Sequence, residues 1–142
     1  MRLETRQFGE VDYDETQLVT FPQGIAGFEE YTRYLLVETE DYLPFLLLLS
    51  VEEPEVGFPI VPTSAVWEGY APAVPDEELK VLELAGPGDK PMVFCIVTLG
   101  KGRSEITANL RAPIYMNTAK RIGAQVIVGD DSYPIRHEIL TA

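Results

Sequence analysis

Apolar and polar positions alternate with period two along most of the chain, and few stretches show the three-to-four spacing of an amphipathic helix. "LETRQFGEV" (3–11) puts Leu3, Thr5 and Gln7 on one side and Glu4, Arg6 and Phe8 on the other, until Gly9 ends the run. "TQLVTF" (16–21) and "RYLLVE" (33–38) are short and rich in β-formers. "FLLLLSVE" (45–52) is almost continuously apolar. It is short and follows Pro44, so it predicts a strand buried on both faces. "GFPIV" (57–61) is a further short strand, where the missing donor of Pro59 predicts an edge or a bulge. "LKVLEL" (79–84) sets Leu79, Val81 and Glu83 against Lys80, Leu82 and Leu84 and reads as a strand. "MVFCIVTL" (92–99) and "SEITANL" (104–110) flank the glycines of "GKGR" (100–103) and predict a hairpin. In its second arm Ile106, Ala108 and Leu110 face inward while Thr107, Asn109 and Arg111 face outward. "AQVIV" (124–128), the turn "GDD" and "YPIRHEI" (133–139) predict another pair.

Helix is scarce. One turn is expected at "FEEY" (28–31) and one at "PDEELK" (75–80), where Pro75 and the acids suit a helix start. A third is expected at "TAKRI" (118–122), with Asn117 as N-cap, Gly123 as the left-handed residue after the end, and Lys120 and Arg121 in the last turn. About nine or ten short strands punctuated by turn signals every 8–12 residues predict an all-β, mainly antiparallel barrel or sandwich. The longest connection, 62–78, holds Trp67 and Tyr70, and long connections are often functional.

The 142 residues suit one domain, and at this length about 70% of the unfolded surface is buried. Hydrophobic residues make up 46%, enough for a real core. The start, "MRLETRQFGE", has no apolar stretch, and the longest apolar run, Leu43–Leu49, is far below the roughly 20 residues of a spanning helix. A soluble, cytoplasmic protein with no membrane contact is expected. Cys95 is the sole cysteine, so no internal disulfide forms, and its place in "MVFCIVTL" suits a small buried hydrophobe.

Charge adds direction. Residues 1–78 carry 17 acids and three bases (Arg2, Arg6, Arg33), a net −14, whereas residues 79–142 carry eight bases and six acids, a net +2. Direct binding to nucleic acid is disfavoured, because phosphates need neutralising cations. A basic protein partner would be steered in.

Reaction chemistry is poorly supplied. His137 is the lone histidine, and no serine sits in a Gly-x-Ser-x-Gly elbow; a structural or solvated histidine is expected. One Cys and one His cannot make the usual zinc set. "DYDE" (12–15) and "GDD" (129–131) lack calcium-loop spacing. "LGKGRS" fails as a phosphate loop because Gly102 follows Lys101 where Ser or Thr is required. No cofactor and no metal are expected. The 23 acids permit many carboxylate pairs, so a glycoside hydrolase-like enzyme stays open as an alternative. So does an inert assembly subunit that associates through a sheet edge near Pro59. In "NLRAPIYMNTAKRIGAQVIV" (109–128) nearly every special residue has a structural task, although an exposed Asn109 or Arg111 could touch a partner.

Three stretches, taken together, carry a resemblance: "TRQFGEVDYDETQLVTFPQGIAGFEEYTRYLLV", "PFLLLLSVEEPEVGFPIVP" and "NLRAPIYMNTAKRIGAQVIV". Their order and spacing resemble the flagellar assembly factor FliW family over nearly the whole chain. The most specific pieces are Phe21-Pro22-Gln23-Gly24-Ile25 with Gly27-Phe28-Glu29, Pro44-Phe45 leading to Ser50, and Asn109-Leu110 with Ala112-Pro113-Ile114 and Asn117. Two positions depart from the family pattern. Ala26 stands where proline is common, which is expected to loosen the loop, and "FLLLLS" has leucines where an aromatic and a glutamine are frequent.

The resemblance implies a small cytoplasmic β-barrel domain over 1–142 that is not an enzyme. It implies binding to flagellin and to the translational regulator CsrA, with flagellin export freeing the factor to capture CsrA and relieve repression of flagellin synthesis. Flagellin's terminal segments are helical, so helix-in-groove docking is the mode implied. A monomer is expected. The candidate partner-binding residues are the acids Glu38, Glu40, Asp41, Glu52, Glu53 and Glu55, the aromatics Tyr42, Phe45 and Phe58 between them, and Asn109 and Arg111. Phe45 and Phe58 also suit the core.

Overall fold

Strand pairing organises the chain in a computed structural model that describes residues 1–5, 9–38, 40, 43–86, 88–99 and 106–139. Among these residues the strands are β1 (Arg2–Thr5), β2 (Gly9–Asp12), β3 (Leu18–Thr20), β4 (Arg33–Glu38), β5 (Leu46–Ser50), β6 (Gly57–Pro62), β7 (Met92–Thr98), β8 (Thr107–Ala108), β9 (Ile114–Asn117), β10 (Ile122–Gln125) and β11 (His137–Glu138). β3 to β7 form an antiparallel meander. β7 then pairs with β9, β9 with β10, and β10 with β3, so seven strands close a barrel. The closing contact is parallel and consists of one residue pair, Ile122 opposite Thr20. β8 and β11 extend the sheet from the far end of β7.

The barrel interior is filled by Val19, Tyr34, Leu48, Ile60, Phe94, Ile114 and Met116, with Phe21 and Ile25 from the loop after β3. Three covers lie on the outside. The β1–β2 hairpin brings Leu3 and Val11 over Leu35, Leu47 and Leu49. A 3-10 helix, Asp76–Leu82, seats Leu82 against Tyr115, Ala124 and Val126. Trp67, Tyr70, Tyr133 and Ile139 cover Val61, Cys95, Val97 and Leu110. The expected double-sided burial of the leucine-rich strand is met: Leu47, Leu48 and Leu49 are each at most 1% exposed. Burying each such side chain is worth about 1.5–3 kcal/mol, which stabilises a strand with no polar face.

Several expected elements change. Where one strand is expected over 3–11, β1 and β2 pair with each other, Leu3 opposite Val11, while 6–8 lie outside the described residues. "LKVLEL" joins the 3-10 helix through Leu82, because Pro75 and three acids start a helix and a three-residue repeat puts Leu79 and Leu82 on one side. Glu83 ends it in the left-handed region, φ 54°. β6 is an interior strand, not an edge. Pro59 is accommodated opposite Leu47, where the ladder to β7 begins only at Ile60. "AQVIV" and "YPIRHEI" do not pair with each other. They run in line, β10 beside β9 and β11 beside β8, joined by bonds from Val126 N–H to Pro113 O (3.0 Å) and Leu110 N–H to Pro134 O (3.0 Å). Residues 107–117 and 122–139 therefore make one long, broken hairpin. The arms of the "GKGR" hairpin pair as expected, Thr98 with Thr107, while 100–103 lie outside the described residues. At 28–31 one turn forms, through Tyr31 N–H to Phe28 O (3.0 Å).

"TAKRI" is the tip of that hairpin rather than a helix. Asn117 and Ile122 pair directly, and Arg121, not Gly123, takes the left-handed conformation (φ 56°). Asn117 still caps the turn, its Oδ1 accepting from Lys120 N–H at 3.3 Å, and its Nδ2 donates to Leu82 O at 2.8 Å. Gly123 is required for another reason. A Cβ there would lie 2.5 Å from Phe21 Cζ and 2.6 Å from its Cε2. Phe21 is fully buried with its ring edge against Tyr34 (centroids 5.4 Å apart), so it has nowhere to retreat. The Tyr34 hydroxyl has no hydrogen-bond partner among the described residues, and burial pushes its pKa up to about 12.

Gly123→Ala is therefore expected to destabilise the fold by about 1–3 kcal/mol, the usual cost of overpacking. Phe21→Leu should cost less in the Gly123→Ala background than in the parent. Urea denaturation of the four proteins checks this, and strictly additive losses would show that ring and glycine do not compete for one space.

Candidate functional site

Two surfaces with opposite chemistry meet at one end of the barrel. The first is the turn between β5 and β6. Ser50 is fully buried at the end of β5, and its Oγ accepts from the backbone N–H groups of Glu52 (3.1 Å) and Glu53 (3.0 Å). Glu52 turns back, and its Oε1 accepts from Thr32 N–H (2.8 Å) and Arg33 N–H (3.0 Å). Those two bonds favour the ionised form and hold the Glu52 carboxyl below the ordinary carboxylate value. Val56 N–H to Glu53 O (3.1 Å) closes the turn. The acids are thus presented on fixed backbone: Glu52 and Glu55 exposed, Glu53 half-buried.

The second surface is a groove of about 550 Å³ at the barrel mouth. Phe58, three residues beyond Glu55, lies in it beside Ile96 and Ile25. Phe58 packs edge-on to Phe28 (centroids 5.3 Å) and against Tyr34 (6.3 Å). One wall is the loop Phe21–Phe28. Its sharp path needs Gly24, where φ is +71° and a Cβ would fall 2.6 Å from the Glu29 Cα. The other wall is the bulged stretch 109–113. Gln125 ties the two together: its Oε1 accepts from Ala26 N–H (2.8 Å) and its Nε2 donates to Ala112 O (3.2 Å). Ala26 was expected to loosen this loop, yet its N–H makes a bond that proline could not supply. Ile127 and Ile135 stand at the rim, 68% and 54% exposed, with Arg136 beside them.

The structure divides the expected partner-binding residues. Glu52, Glu53, Glu55, Phe58 and Asn109 belong to the mouth end. Glu38 and Glu40 are exposed but belong to the opposite end, since Glu38 pairs with Leu46 whereas Tyr34 pairs with Ser50. Asp41 and Tyr42 lie outside the described residues. Phe45 is only 8% exposed and joins the core beneath Trp67 and Tyr70, so it offers no apolar centre to a partner. Asn109 Oδ1 accepts from Arg111 N–H (3.0 Å) while the residue lines the mouth. Arg111 is committed to the fold, its guanidinium donating to Tyr133 O (2.9 Å) and Asp131 O (3.3 Å).

Sequence reasoning missed Phe28, Gln125, Ile127, Ile135 and Arg136. A signal was present for Ile127: with Val126 and Val128 buried, the residue between them must point outward.

The long connection 62–78 serves as cover. Tyr70 Oη donates to Leu110 O (2.6 Å), and Trp67 packs edge-on to Tyr133 and His137. His137 is held by that ring, as a structural histidine would be. A cleft of about 620 Å³ beside the 3-10 helix carries Asp76, Glu83 and Asp89. Glu83 pairs with Lys120 (3.5 Å), and Asp89 accepts from Ala85 N–H (2.9 Å). A glycosidase acid needs a raised pKa. The carboxylates with displaced values among the described residues, Asp14, Glu52 and Asp130, are lowered, Asp14 and Asp130 by the hydroxyl and amide of Thr16 and Ser132. Among the described residues no three His, Cys, Asp or Glu side chains gather to hold a metal, and no helix is long and apolar enough to cross a membrane.

Comparison with known proteins covers the whole barrel. The sequence profile described as FliW protein matches residues 2–139. The flagellar assembly factor FliW of Thermotoga maritima is 39% identical over 132 residues, covering 92% of this chain and 88% of that protein. The flagellar assembly factor FliW of Lachnospira eligens is 34% identical, covering 98% and 94%. A crystal structure of the flagellar assembly factor FliW superposes with a TM-score of 0.88 at 31% identity, covering 100% of this chain and 99% of that one.

The Glu52 bonds have a pH signature. A carboxyl held low in the folded state adds stability that is fully present above its ordinary value of 4.5 and fades as pH falls below it. Glu52→Gln should flatten the dependence of the denaturation midpoint on pH in that acid range, while leaving the slope between pH 6 and 8 unchanged. Parallel pH curves for variant and parent would remove Glu52 from the account.

Proposed function

The chain belongs to the FliW family, whose matched relatives are flagellar assembly factors, and from that premise we propose that it works by docking on flagellin and on the translational regulator CsrA, and catalyses no reaction. While flagellin occupies the factor, CsrA is free to repress. When flagellin is exported, the released factor captures CsrA and relieves repression. The observation that carries a docking reading is the pre-set acid turn beside an apolar mouth. Ser50 fixes the Glu52–Glu53 backbone and the Thr32–Arg33 amides fix the Glu52 carboxylate before any partner arrives, so little ordering entropy is lost on binding. An RNA-binding regulator is basic, and a negative surface raises its encounter rate and selects it over acidic competitors. The apolar centre next to the acids is Phe58 with Phe28, in place of Phe45.

Calorimetric titration of CsrA into this protein is expected to show affinity falling as salt rises, because exposed pairs are screened once the Debye length drops to about 3 Å near 1 M. Glu53→Gln with Glu55→Gln should remove most of that salt dependence, and added flagellin should compete. Equal constants at low and high salt would sink the electrostatic part. Failure of either protein to bind at all would sink the function.

A further inference from the structure

Resting on that docking reading, we propose that the barrel mouth is a second docking surface, separate from the acid turn, and that it takes an apolar polypeptide segment bearing a carboxylate paired by Arg136. Among the described residues the mouth is lined by no aspartate or glutamate, in a chain that has 23 of them. Of the described lining residues Arg136 alone is charged, and no described carboxylate forms a salt bridge with it. Ile127 and Ile135 leave most of their surface in water at the rim. Covering such residues is favourable, and exposed apolar groups grouped round a concave site mark binding surfaces.

The site is also pre-formed. Gln125 clamps both walls, and Phe58 is held by Phe28 and Tyr34. The two surfaces repel each other's ligands. A basic partner meets Arg136 unfavourably at the mouth, and an acidic segment meets Glu52, Glu53 and Glu55 unfavourably at the turn. Partners of opposite charge are thereby sorted on one small barrel. Within the proposed function the basic regulator takes the acid turn and flagellin takes the mouth, and the two sites adjoin, Phe58 lying three residues beyond Glu55, so that the bulk of one bound partner excludes the other.

The test uses the full chain with labelled isoleucine methyl groups. Two synthetic amphipathic helical peptides share one leucine face; the first carries glutamates on its polar face and the second lysines. The glutamate peptide is expected to shift the Ile127 and Ile135 methyl signals and to bind about tenfold or more tightly than the lysine peptide, a difference the size of one good charge pair. Arg136→Glu should abolish or invert that preference, and Ile127→Glu with Ile135→Glu should abolish binding of the glutamate peptide. The same double variant should weaken flagellin about tenfold and leave CsrA unaffected. Unmoved methyl signals, or equal binding of the two peptides, would overturn the mouth as a site. Flagellin binding unchanged in the double variant would overturn its assignment there. Shifts with the glutamate peptide, but no binding of flagellin to the parent protein, would uphold the mouth and overturn the function on which the assignment rests.

Discussion

Closure of the barrel hangs on the contact between Phe21 and Gly123. β3 and β10 share one ladder pair, Ile122 with Thr20, so backbone hydrogen bonds alone hold that seam weakly. The ring of Phe21 fills the space where a side chain on residue 123 would stand, and this lets the two segments approach. Above the seam the loop continues through Gly24 and Ile25 and is clamped by Gln125. Interior packing, strand closure and the shape of the mouth thus share a few residues. Core side chains here do more than supply burial energy, because their volumes set the distance between walls.

The same economy explains what the sequence revealed and what it hid. The leucine run of β5 is legible because burial on both faces leaves no polar positions, and its neighbours in the meander follow from short β-rich runs between turns. The 3-10 helix was hidden by a short apolar alternation that also satisfies a three-residue repeat against a flat sheet. The pairing of β11 with β8 was hidden because a turn signal at Gly129–Asp131 ordinarily reverses the chain. Here the segment beyond it resumes its course, held by Val128 N–H to Arg111 O and Leu110 N–H to Pro134 O. Pro59 looked like an edge residue because local sequence cannot say where a ladder begins.

The docking face was half legible. Acid-rich segments announce themselves, yet Glu38 and Glu52 are near in sequence and far apart on the barrel, since the β4–β5 hairpin sends its two ends in opposite directions. The apolar half is harder to see. Phe45 and Phe58 are equally aromatic, and only the register decides that the first is sealed under Trp67 and Tyr70 while the second lines the mouth. Rim residues such as Ile127 become visible only as exceptions to an alternation whose inward members are already known.

The aromatic cover over β6, β7 and β8 has a spectroscopic consequence. Trp67 is the chain's single tryptophan, and it sits edge-on to Tyr133 and His137 on the outer wall, with the closing seam built by other residues. Its emission is consequently a local gauge of whether the segment after β10 is seated. Coincidence of that signal with far-ultraviolet circular dichroism would mean that wall and barrel melt as one cooperative unit. An earlier loss of emission would identify the wall as a separately detaching layer.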